Sequence, residues 1–154
     1  MTMTVLLALH IVAATIWVGG MFFAYVVLRP AVGGIEPAPE RPRLWRRVFH
    51  RFFLFVSPSV LVLIATGYAM LFLVFGGFAG AGVYIHIMHG VGLIMFLAYG
   101  HLRFAVWPKF RDAVDSGDFE QAGRRLGLIR KIVHVNLALG MITMIVAATG
   151  PYWP

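Results

Sequence analysis

The sequence predicts an all-α fold, an integral membrane four-helix bundle. Three observations carry this. Hydrophobic residues fill 60% of the 154 positions and charged residues only 12%, about half the charged share of a soluble domain. Four apolar runs, 3–28, 52–75, 82–107 and 132–149, each come close to or exceed the ~20 residues that span a bilayer as helix. All 13 Lys and Arg and all six Asp and Glu fall within 29–51 and 103–131, around the first and third turns of the chain. The whole sequence, 1–154, reads as a single transmembrane domain.

The first run lacks a basic leader and a small-x-small cleavage site, and it is too long for a signal-peptide core. It is expected to be helix 1, ending at Arg29-Pro30. The following "AVGGIEPAPERP" is rich in Pro and Gly and reads as irregular. Pro42 suits the first turn of helix 2, which "RLWRRVFHRFFLF" carries straight into the apolar run. Ser57-Pro58-Ser59 is expected to kink it. "GGFAGAG" (76–82) links to helix 3, whose expected end is Trp107-Pro108. Asp118 is placed to cap helix 4, with an acid in its first turn and arginines after it.

The charge pattern sets orientation and partners. The net charge is +7, but "MTMT", the 76–82 linker and the final "GPYWP" carry no charged side chain. The positive-inside rule therefore expects both charged loops in the cytoplasm and both termini outside. That is the arrangement of a multi-pass protein of a bacterial-type inner membrane. Its basic collar contacts the lipid bilayer rather than nucleic acid. The absence of Cys excludes covalent CxxCH haem attachment, thiolate metal sites and disulfides.

A faint repeat relates "LHIVAATIWVGGMFFAYVVLR" in helix 1 to "IHIMHGVGLIMFLAYGHLR" in helix 3. "RRVFH" (46–50) and "RKIVH" (130–134) begin the apolar parts of helices 2 and 4. Two parallel two-helix repeats, related by an axis along the membrane normal, would give this pattern.

The six histidines are the chemistry-bearing residues. His10 and His86 lie about 6–9 Å inside the outer ends of helices 1 and 3, at ~1.5 Å per residue. They share a layer and are expected to face each other. The i+3, i+4 and i+7 neighbours of His10 are Ala13, Ala14 and Trp17, and those of His86 are His89, Gly90 and Leu93. Ala14 and Gly90 leave room for a flat macrocycle, and Trp17 can wall it. His89 is a ligand or an orienting donor beside one. His50, His101 and His134 form an inner layer, roughly 22 Å below His86 in the case of His101. Two readings stay open for these imidazoles: metal ligation, or hydrogen bonds to a carbonyl, Ser or Thr of a neighbouring helix. Met3, Met70, Met88 and Met144 share the outer half, so imidazole with thioether offers a soft copper site. HExxH, GxSxG and P-loop motifs are absent, and no carboxylate falls inside an apolar run.

"LHIVAATIWVGGMFF" (9–23), "HIMHGVGLIM" (86–95), "GHLRFAVWPKFRDAV" (100–114) and "RLGLIRKIVHVNLALG" (125–140) resemble the short four-helix members of the CopD family, associated with copper resistance and uptake. The chain is more distantly similar to HemJ-type proteins, four-helix haem b proteins. That likeness implies a haem ligand at His10. The leading expectation is a membrane redox protein, a cytochrome b-like oxidoreductase or electron-transfer protein. It would hold haem b between His10 and His86, with a second haem at the inner layer, serving a quinol or another redox partner. The alternative is a copper-binding or copper-transport protein. The third reading is a cofactor-free assembly subunit. Homodimerisation is open in each.

A reporter fused after Pro154 is expected to be active only in a form that works in the periplasm. A signal confined to a cytoplasm-active reporter would overturn the orientation.

Overall fold

The structure, a computed structural model, describes residues 2–153. Four long helices account for nearly all of it: α1 (Thr2–Val32), α2 (Glu40–Leu73), α3 (Val83–Asp115) and α4 (Phe119–Tyr152). Among the described residues there is no β-strand. Each helix is long and apolar enough to cross a membrane, with mean hydropathy of its best window between 1.5 and 2.2. Only 11% to 33% of each window is buried inside the bundle. The side chains left outside are apolar, as with Phe104 at 75% exposure, Leu73 at 73% and Phe55 at 67%. Water would make that surface aggregate, whereas hydrocarbon solvates it. This is a multi-pass membrane protein.

Sequence-adjacent helices pair as antiparallel hairpins, α1 with α2 and α3 with α4. Both charged loops lie at one end, where Arg46 of α2 forms an ion pair with Asp115 of α3, Nε to Oδ1 2.6 Å. The 76–82 linker lies at the other, uncharged end. Gly76 and Gly77 have φ of 69° and 91° there, a left-handed backbone that side chains rarely permit. This turn brings Phe78 back toward the start of α3.

The helix starts follow the sequence. α2 begins at Glu40, with Pro42 in its first turn. Asp118 caps α4, its Oδ1 accepting from the Gln121 N–H at 2.9 Å. The ends expected at prolines do not follow. α1 continues past Pro30 to Val32, and α3 continues past Pro108 to Asp115. Each proline follows a π-helical turn, Phe23–Leu28 in α1 and Leu102–Val106 in α3. It then occupies the first turn of the next α-helical piece. A wider turn shifts the hydrogen-bond register, so the missing proline N–H falls where no partner is required. α2 also runs unbroken through Pro58, so Ser57-Pro58-Ser59 does not interrupt it.

The core is densest at the charged end. Trp45, Phe49, Phe53, Val56 and Val60 recur every three to four residues along α2 and are buried, the spacing of one helix face. Phe49 stacks on Trp45 with centroids 4.9 Å apart, and meets Trp107 and Phe110 edge-on at 6.0 and 6.1 Å. Phe110 is fully buried. Nearer the middle, Gly140 of α4 admits Val18 of α1 and Met95 of α3. A Cβ at Gly140 would lie 2.9 Å from Val18 Cγ2 and 3.2 Å from Met95 Cε.

Gly140→Leu is therefore expected to destabilise the bundle by about 1–3 kcal/mol, the usual cost of overpacking. Gly123→Ala, where a Cβ meets nothing within 4 Å, should be neutral or gain up to ~1 kcal/mol of helix propensity. Reversible unfolding in detergent measures both; equal effects would discount the contact at Gly140.

Candidate functional site

A polar layer crosses the uncharged half of the bundle, and α2 organises it. Its Thr66-Gly67-Tyr68 step interrupts an otherwise apolar stretch. Thr66 is buried and faces α1, where its Oγ1 lies 2.8 Å from His10 Nδ1. Tyr68 faces α3, where its hydroxyl lies 3.0 Å from His89 Nε2. Two residues of helix rise by ~3 Å, so His10 and His89 flank α2 at almost one depth. Gly67 lies against the same ring: a Cβ there would make ordinary van der Waals contact with His10 Cε1 at 3.4 Å.

The Thr66 hydroxyl fixes the tautomer of His10. It has a single proton, which it donates to the Val62 carbonyl at 2.6 Å. Oγ1 must then accept from His10, so Nδ1 carries the hydrogen and Nε2 presents a bare lone pair. A histidine whose other nitrogen is held this way is set up to ligate. Sequence reasoning left hydrogen bonding to Ser or Thr open beside ligation. At His10 the first is present, and it leaves the second nitrogen free for the other role.

His86 and His89 gather on Phe78, the residue that the glycine turn returns to α3. Ring centroids are 5.8 Å apart for Phe78 and His86, and 5.0 Å for Phe78 and His89. His89 is half-buried and His86 is exposed on the bundle surface. The rings themselves are engaged differently from the expected pair across the axis. His10 turns to α2, and His86 turns to the linker.

The remaining expected residues are spread out. Trp17 is buried and packs edge-on against Tyr99, centroids 5.7 Å apart, so it is a core residue. Ala14 is half-buried, and Gly90 faces open surface with nothing within 4 Å of a Cβ. His50, His101 and His134 are exposed. His134 lies against Tyr25, ring centroids 5.0 Å apart. Among the described residues no three His, Cys, Asp or Glu come together in a way that could hold a metal ion. The two best-formed cavities lie at the charged end, and neither is lined by His10, His86 or His89. Sequence reasoning missed Thr66, Tyr68 and Phe78. Counting depth along α2 as well as along α1 and α3 would have found the first two.

The family model of copper resistance protein D matches residues 46–149. The chain belongs to the CopD family. The matched segment contains His50, His86, His89, His101 and His134, and it leaves out His10. No curated protein and no solved structure matches the chain closely enough to count as a relative. CopD membership supports the copper alternative of the sequence better than haem b.

Thr66→Val removes the acceptor for His10 Nδ1. It is expected to cost about 1–3 kcal/mol, the price of a buried donor left unpaired, and to let the imidazole mix tautomers. Nitrogen-15 spectra of histidine-labelled protein read this directly. A wild-type His10 protonated on Nε2 would contradict the tautomer.

Proposed function

We propose that this CopD protein handles copper in the membrane, taking Cu(I) as cargo at the uncharged end of the bundle through His86 and His89. The observation that carries the reading is the family match, which spans the segment holding both residues. Their i, i+3 spacing puts them on one helix face, and the contacts of both rings with Phe78 support a shared site. His10, with Nε2 unprotonated, stands at the same depth beyond α2. Met3, Met70, Met88 and Met144 belong, by their places along the helices, to the same uncharged half of the bundle. Imidazole and thioether are the donors that suit Cu(I) in a chain without Cys. Lacking thiolates, such a site holds the ion loosely enough to pass it on, as a transport or resistance protein requires. The positive-inside rule supports an orientation in which this end faces out of a bacterial-type inner membrane. Copper would then meet the site from outside.

Cu(I) titration of the purified protein against a chromophoric chelator tests this. His86→Ala and His89→Ala are each expected to weaken binding at least about tenfold, while His50→Ala and His134→Ala leave it unchanged. Undiminished copper binding in the His86/His89 double variant would sink the assignment. A protein purified with a Soret band and no copper affinity would restore the haem reading.

A further inference from the structure

The charged end of α2 carries chemistry that the outer histidines do not use. Every fourth residue from Arg43 to Phe55 is exposed, and a helix sets residues at that spacing in one row. The row reads Arg43, Arg47, Arg51, Phe55, with Leu54 exposed beside its last member. Three cations therefore lead directly into apolar surface of the kind that hydrocarbon solvates.

Beside the first two, α2 and the turn from α3 to α4 border an open cleft of about 630 Å³. Its lining includes Arg43, Arg46, Arg47, Asp115 and Ser116, and its open surface is more polar than apolar. The charges there do not cancel. Arg46 holds Asp115 through both carboxylate oxygens, Nε to Oδ1 at 2.6 Å and Nη2 to Oδ2 at 2.8 Å. Arg43 is committed twice, to Glu40 at 2.6 Å and over the Phe119 ring, 5.2 Å from its centroid. Among the described residues, Arg47 and Arg51 pair with no carboxylate: the five ion pairs use other cations. One guanidinium in the cleft is thus left without a counter-charge, and a second stands one turn behind it.

We infer that the row of Arg43, Arg47 and Arg51, with the cleft at its side, binds the headgroup phosphate of an anionic phospholipid whose tails lie along Leu54 and Phe55. Depth favours a lipid over a soluble anion. Each headgroup layer of a bilayer is roughly 5–8 Å deep. Arg51 stands where the apolar run of α2 begins, and Arg47 is four residues, ~6 Å, beyond it. The two span that layer, and Leu54 and Phe55 lie on its hydrocarbon side. Arginine's planar fork matches a phosphate in a bidentate way. The weight of binding falls on Arg47 and Arg51, because Arg43 already has partners.

Native mass spectrometry of the full chain in detergent, titrated with phosphatidylglycerol, phosphatidylcholine or inorganic phosphate, tests the inference. Phosphatidylglycerol should bind one to one, in preference to phosphatidylcholine, whose choline cancels the phosphate charge. Arg47→Gln and Arg51→Gln should each weaken it about fivefold, the worth of one basic residue at a lipid surface. Arg43→Gln should matter less, and Arg47→Lys, which keeps the charge and loses the fork, should weaken binding less than Arg47→Gln. Lys109→Gln and Arg125→Gln, outside the row and the cleft, should leave it unchanged. Both key arginines are exposed and unpaired, so their variants should keep the wild-type unfolding midpoint. Equal loss from all five Gln variants, or equal binding of phosphatidylcholine, would overturn the site. Displacement of the lipid by millimolar inorganic phosphate would overturn the lipid assignment in favour of a soluble anion.

Discussion

Hydrocarbon offers no hydrogen bonds, and the structure follows from that constraint. Every polar group within the spans must find its partner in the protein. Most hydroxyls do so locally. Thr15, Ser59, Thr143 and Thr149 donate to the carbonyl four residues back, which uses their one proton. A few polar side chains reach instead to another helix. His10 joins α1 to α2 through Thr66, Ser57 and Tyr68 join α2 to α3 through Tyr99 and His89, and Asn136 joins α4 to the Met95 carbonyl of α3. Apolar contact alone cannot hold helices together in lipid, because the lipid packs against them as well as they pack against each other. These few bonds, with the small-residue contact at Gly140, set which helix meets which.

The two ends of the bundle divide the work. Toward the loops, large aromatic rings interlock and the Arg46–Asp115 ion pair ties α2 to α3. That end is a clamp. Toward the linker the interior thins, rings give way to imidazoles and hydroxyls, and the turn is made of glycine. The half with the firm core positions the half with the chemistry. The aromatic core and the imidazole layer therefore draw on different residues.

Much of this was legible in the sequence. Apolar runs against ~20 residues of bilayer gave four helices, and Pro42 and Asp118 marked helix starts because capping chemistry is local. What could not be read was direction. Which way the His10 ring turns depends on Thr66, 56 residues away in the chain. His86 was expected to face His10, but Phe78 draws it to the linker, and no spacing rule within one helix foresees that. The proline stops failed for a related reason. A π turn upstream absorbs a proline, and nothing local in Phe23–Leu28 or Leu102–Val106 announces one.

Those π turns make α3 a two-piece rod and divide α1 into three pieces, since α1 has a second π turn at Thr15–Gly19. Each turn holds a residue beyond the α-helical count, and one residue rotates everything downstream by about 100°. The phase of the upper piece, with its histidines, is thus uncoupled from the phase of the lower piece, with Trp107 and Phe110. Insertion or deletion of a single residue in either turn can re-aim the histidine-bearing half while the aromatic clamp stays seated. In an evolving lineage, such a joint lets the chemistry drift around the helix axis without rebuilding the core beneath it.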